Sequence, residues 1–159
     1  MTINDLFNSQ REVTAAHEAA HAICYLAFDY PIHHIEIEPD CVTRSTPTPV
    51  RRPVWDLAVV SMAGMVIEGQ HRKHFDLDAE IAQAVEWVEG GEDPSELGDM
   101  ELFATYPGLA HSAFGVATHL LRQFAQDHVC LTEALLCSSG SMSGDDVEAL
   151  ALDVDRQSR

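Results

Sequence analysis

The residues of this chain best placed to do chemistry are His17, Glu18 and His21, in the run Thr14-Ala15-Ala16-His17-Glu18-Ala19-Ala20-His21-Ala22. Residues four apart on an α-helix lie one turn above the other on the same face, so His17 and His21 can aim both imidazoles at a single metal ion. Glu18 then falls beside the ion rather than on it. A carboxylate in that place can take a proton from an attacking water, the general-base task in metal-assisted hydrolysis of an amide.

That chemistry requires a helix, and the local sequence predicts one. Ser9 followed by Glu12 fits a Ser-x-x-Glu capping box, and Val13, Ala16, Ala20, Ile23, Cys24 and Ala27 form an apolar stripe at helical spacing. After Pro31, the alternation in His33-His34-Ile35-Glu36-Ile37-Glu38 predicts a short strand whose exposed edge can pair with an extended substrate. The proline-containing stretch from Cys41 to Pro53 reads as an extended loop or an edge strand, since proline cannot donate into a central ladder. Val54 to Gln70 is expected to be a buried helix packed on the first, with Ala63-Gly64 at the point of closest approach. Glu68 on that helix has two readings: a surface carboxylate, or an acceptor for the free N–H of a ligating imidazole.

Farther on, Asp76 is expected to cap a helix that runs to Val88 and ends at Gly90-Gly91. Glu92 to Gly98 reads as an acidic turn, and Asp99 opens a short helix through Thr105. The longest helix is expected from Ala110 to Leu136. A flexible polar turn follows from Ser138 to Gly144, then an acidic helix from Asp145 to Leu152 and a disordered tail. The fold class is therefore mainly α with a small β element (α+β). The other histidines have plainer readings: His71 and His74 as solvated cations at a helix end, His119 and His128 as packing or surface residues, and His111 as a residue that can face the cleft.

With 159 residues and 46% hydrophobic content, residues 1–159 are expected to form one domain, with a core at 8–137 and an acidic helix and tail at 138–159. The 26 acidic against 9 basic side chains give a net charge of −17, which repels phosphate backbones and anionic lipid and excludes nucleic acid as the expected partner. Cys24, Cys41, Cys130 and Cys137 show no C-x-x-C spacing and are expected to be reduced thiols. No apolar run approaches the ~20 residues that span a bilayer, and Met1 to Gln10 lacks a secretory pattern. A cytoplasmic location without membrane insertion is the expectation.

Taken in order, the motifs resemble the peptidase domain of the membrane-bound ATP-dependent zinc proteases of the FtsH type, peptidase family M41. Thr14 to Ala22 is similar to the family's T-A-x-H-E-A-G-H-A. His33 to Ile37 lies where the family has its short strand, and Ser61-Met62-Ala63-Gly64-Met65-Val66-Ile67-Glu68 is similar to its L-A-G-R-A-A-E helix. Leu131 to Leu136 followed by Ser143 to Val147 looks like its closing helix and turn. The chain departs from the pattern at Ala20, where the family has glycine, and it contains no Walker A loop.

The resemblance implies a zincin-like helical metallopeptidase domain. Zn²⁺ would be held by His17, His21 and an aspartate, with Glu18 as the catalytic base and a protein or peptide as substrate. For the aspartate the family pattern leaves two residues, Asp99 and Asp78. Asp99 follows Gly98 and leads into the long helix, as the family's ligand helix does, and is preferred; Asp78 keeps the family's shorter spacing from Glu68 but reads well as part of a helix cap. The implied activity is ATP-independent hydrolysis of peptide bonds. The alternative is a catalytically inactive zinc-binding domain that acts in interaction or regulation. A partner ATPase and the oligomeric state are not specified by the sequence.

Overall fold

The computed structural model describes residues 3–38, 41–47 and 51–154, with side chains from Ser9 onward. Helix α1 (Ile3–Ala27) is the axis of the fold. Ala15, Ala19, Ala20, Ala22, Ile23 and Cys24 are fully buried, so the helix is enclosed on nearly all sides over its middle rather than along one stripe. Its small side chains let three other helices and the sheet approach closely. The Ser9–Glu12 pair does not cap it: the helix starts at least six residues earlier, because nothing between Ile3 and Asn8 breaks helical backbone. Arg11 ties the first turns to the rest of the chain, through Glu38 at 2.8 Å and the Leu136 carbonyl at 2.9 Å.

A three-stranded antiparallel sheet covers one side, in the order β2 (Val42–Ser45), β1 (Ile32–Glu36), β3 (Ser141–Ser143). Ile35 and Ile37 point into the core, as the alternation predicts. Two expectations are corrected here. Strand β1 is central and has no free edge for a substrate; the terminal strand beside α1 is β2, which meets the expectation of an edge strand after Cys41. The stretch expected to be a flexible polar turn contains β3, because Met142 is a buried apolar residue between two serines and β1 offers a second edge to pair with. A β-bulge shifts the β1–β2 register between Ile32 and His34.

Helix α2 (Val54–His71) is buried along most of its length and packs on α1. Helix α3 (Leu77–Glu89) is capped by Asp76, whose side chain accepts from the Asp78 and Ala79 amides. A 3₁₀ segment (Pro94–Met100) leads into α4 (Glu101–Thr105), so Asp99 lies in the last turn before that helix rather than at its first residue. The long helix expected from Ala110 to Leu136 is two helices, α5 (Ala110–Gln123) and α6 (Ala125–Cys137), parted where Phe124 leaves helical backbone with φ −109° and ψ 34°. The buried Phe124 ring sits at the bend; α5 packs on α2, and α6 packs on α1.

Helix α7 (Gly144–Leu150) and a further turn close the chain against the core. Val147, Ala151 and Val154 are fully buried, and the buried Asp127 carboxylate accepts the Asp153 and Val154 amides at 3.0 Å each. The residues after 137 therefore add to the core; the expected disordered tail begins after Leu152, where residues 152–154 are instead helical with Val154 fully buried, and its remainder, 155–159, lies outside the described residues. Among the described residues no helix is long and apolar enough to cross a membrane.

Candidate active site

One turn of α1 presents His17 and His21 side by side, their ring centroids 4.7 Å apart. Opposite them stands Asp99, delivered by Gly98, whose φ of +56° lets the backbone reverse there without a side-chain clash. Asp99 Oδ2 lies 2.8 Å from His17 Nε2 and 3.2 Å from His21 Nε2. The ligand atoms of these three residues fall within 4.8 Å of one another.

The outer nitrogens of both rings are engaged. His21 Nδ1–H donates to the Val60 carbonyl at 2.7 Å, and His17 Nδ1–H points at Glu68 Oε1 at 3.3 Å. Both contacts come from α2, and both orient Nε2 inward. Glu68 thus takes the orienting position that the sequence left open between two readings. It is held in turn by Arg72, which bridges Glu68 and Glu80 of α3.

Gly64 explains why α2 can come so close. A Cβ built on it would overlap the His17 ring and stand 2.7 Å from Asp99 Oδ2, so the Ala63-Gly64 approach is to an imidazole and not only to the α1 backbone.

Glu18 is 4% exposed and lies on the wall shared by two cavities. Its Oε2 accepts a hydrogen bond from the Thr43 hydroxyl at 2.7 Å, an oxygen that also stands 2.9 Å from the Glu18 carbonyl. On one side a cavity of about 590 Å³ is bordered by His17, Glu68 and Arg72; on the other a smaller one of about 150 Å³ is bordered by His21, Asp99 and Thr43.

Burial disfavours charge on His17, but hydrogen bonds to Asp99 and Glu68 prevail and raise its pKa to about 10. His21 is raised as well: burial opposes its charge, and the Asp99 carboxylate outweighs it. Asp99 is pushed well below the carboxylate range against its own burial, because the two imidazoles favour its anion.

The donor types, two imidazoles and a carboxylate, are ones that could hold a metal ion such as zinc. Bonds of ~2.0–2.1 Å in tetrahedral arrangement separate ligand atoms by roughly 3.3 Å; the carboxylate-to-imidazole distances are 2.8 and 3.2 Å, while the three ligand atoms together are held within 4.8 Å, so an ion would draw them closer. Among the described residues no fourth ligand joins the two imidazoles and the carboxylate.

Asp78, the competing carboxylate, is elsewhere. It pairs at the exposed surface with His111 at 2.6 Å, so neither Asp78 nor His111 reaches the cleft. His71, His74 and His119 are exposed, and His128 donates Nε2–H to the Ala16 carbonyl at 2.8 Å. Two groups in the site escaped sequence reading: Thr43 and the Val60 carbonyl. A threonine in a short strand and a backbone oxygen in an apolar helix carry no signal of a partner 25 and 39 residues away. Compared with known protein families and with curated proteins, the chain matches none.

Proposed function

We propose that this domain is a zinc-dependent endopeptidase of the M41 type. The observation that carries the reading is the convergence of His17 Nε2, His21 Nε2 and Asp99 Oδ2 next to a buried glutamate that has no place in the ligand set. A purely structural zinc site closes four positions with Cys or His and needs no such base.

His17, His21 and Asp99 would hold the ion. Zinc in that site supplies Lewis acidity, which polarises a scissile carbonyl and makes water more acidic. Glu18 accepts the proton of the attacking water. Because Thr43 already donates to Oε2, Oε1 is the oxygen left without a donor among the described residues, and it takes the proton and returns it to the leaving amine. An extended substrate lies along the outer edge of β2, the strand that carries Thr43, where backbone pairing sets its register. Residues 1–159 contain no Walker A loop, so cleavage by this stretch on its own is independent of nucleotide and confined to flexible or unfolded chains.

The test measures zinc stoichiometry and release of new termini from an unfolded protein, for the wild type and for Glu18→Gln. One zinc per chain in both, with cleavage falling about 10²- to 10⁴-fold in the variant, is the expected outcome. Zinc bound in both with no cleavage by the wild type would instead make this an inactive zinc-binding module.

A further inference from the structure

Along β2, beyond Thr43, a recess of about 560 Å³ is bordered by Tyr25, His33, His34, Thr43, Arg44 and Ser45. It shares Tyr25, Val42 and Thr43 with the small cavity that holds His21, Glu18 and Asp99, so it extends the cleft away from the metal ligands.

Adjacent strand residues ordinarily face opposite sides of a sheet. The β-bulge between Ile32 and His34 removes that alternation and brings His33 and His34 together, with ring centroids 4.8 Å apart and Nδ1 atoms 2.6 Å apart. At that separation one ring donates Nδ1–H and the other accepts, and the accepting neutral ring must then carry its proton on Nε2, directed away from the pair. Arg44 is the cross-strand partner of His34 and adds a permanent guanidinium.

In a chain of net charge −17 this composition stands out. The two cavities beside His17, His21 and Asp99 carry carboxylates, Glu18 and Glu68 on one side and Glu18 and Asp99 on the other; among the described residues the recess has none. A second metal is not the natural occupant, since the described residues offer no third ligand to the His33–His34 pair.

We infer that this recess is a carboxylate-binding subsite, in which Arg44 and the His33–His34 pair select substrates bearing an acidic side chain or a chain-terminal carboxylate a few residues from the bond to be cut. The inference deepens the peptidase reading and takes from it the path of the substrate along β2. A guanidinium and an imidazole N–H together supply charge-assisted hydrogen bonds that glutamine or a terminal amide cannot match.

The test reads affinity, so that it stands apart from cleavage. Zinc-loaded Glu18→Gln protein is titrated by fluorescence anisotropy with labelled unstructured decapeptides in which one Glu, or its Gln counterpart, is walked along the sequence. Each peptide is made with a free and an amidated C-terminus.

Tighter binding by about tenfold for Glu at one position, with the Glu/Gln ratio falling to about one in the additional variants Arg44→Gln and His33→Ala/His34→Ala, assigns the subsite to an acidic side chain. The same loss confined to acid against amide termini assigns it to the chain end. Arg44→Lys, which keeps the charge without the planar fork, should retain part of the ratio. No discrimination in the zinc-loaded host, or discrimination that survives Arg44→Gln and the double alanine variant, would overturn the inference. A wild type that fails to cleave any of these peptides would remove the peptidase reading while leaving the affinity ratios as the measure of the recess.

Discussion

The Thr43 hydroxyl on β2 donates to Glu18 Oε2 on α1 at 2.7 Å, coupling the edge strand of the sheet to the carboxylate that follows His17 in α1. One hydroxyl proton fixes one carboxylate oxygen and leaves the other for chemistry. Thr43→Val should therefore lower kcat roughly tenfold with zinc content unchanged, while Thr43→Ser keeps most of the rate. Steady-state kinetics with metal analysis checks this; a Val variant with wild-type kcat would show that the contact only packs the strand.

Gly64→Ala should disturb the proposed zinc site more than the fold. Its methyl group has nowhere to go except into the His17 ring, and overpacking of this kind costs about 1–3 kcal/mol. Weaker zinc retention against a chelator, at little change in circular dichroism, is the expected result.

Asp99→Asn should weaken zinc binding by more than about 100-fold, and Asp78→Asn should leave it unaltered, because Asp78 is engaged with His111 at the surface. Zinc dissociation rates measured side by side decide between them. Glu68→Gln should fall between the two, with a loss of about 10-fold through the orientation of His17.

The pH dependence of the metal-free protein follows from His17. Its folded pKa of about 10 exceeds the ordinary value of 6.5, so the stabilisation is fully present below pH 6.5 and is lost as the pH rises through about 10. Thermal midpoints of the metal-free protein should therefore fall between pH 7 and 10. Zinc affinity should move the opposite way, rising with pH, because the ion must displace protons from His17 and His21. Parallel thermal scans with and without zinc across that range test both signs.

Asp127 holds the end of the described chain. Asp127→Ala removes the carboxylate that accepts from the amides of Asp153 and Val154, and should cost about 1–3 kcal/mol in denaturant unfolding and speed proteolysis after Ala151. Equal protease resistance of variant and wild type would contradict this.

The sequence by itself determined what depends on near neighbours. The helical spacing of His17 and His21, the apolar run of α2, the Asp76 cap of α3 and the glycine before Asp99 are each set within a turn or two of backbone, where periodicity and capping act. These were enough to bring out the main helices; the preference for Asp99 over Asp78 came from the resemblance to the family's loop and element order, and the structure places the two against the imidazoles and at the surface respectively. Only the tertiary structure decided that β1 lies between β2 and β3, that Phe124 divides the long helix without any proline or glycine, that Thr43 and the Val60 carbonyl serve Glu18 and His21, and that a bulge turns His33 and His34 together. Each of these depends on which surfaces meet across tens of residues. Ladder partners and buried polar contacts are satisfied by whatever the packed core brings near, and no local pattern encodes that choice.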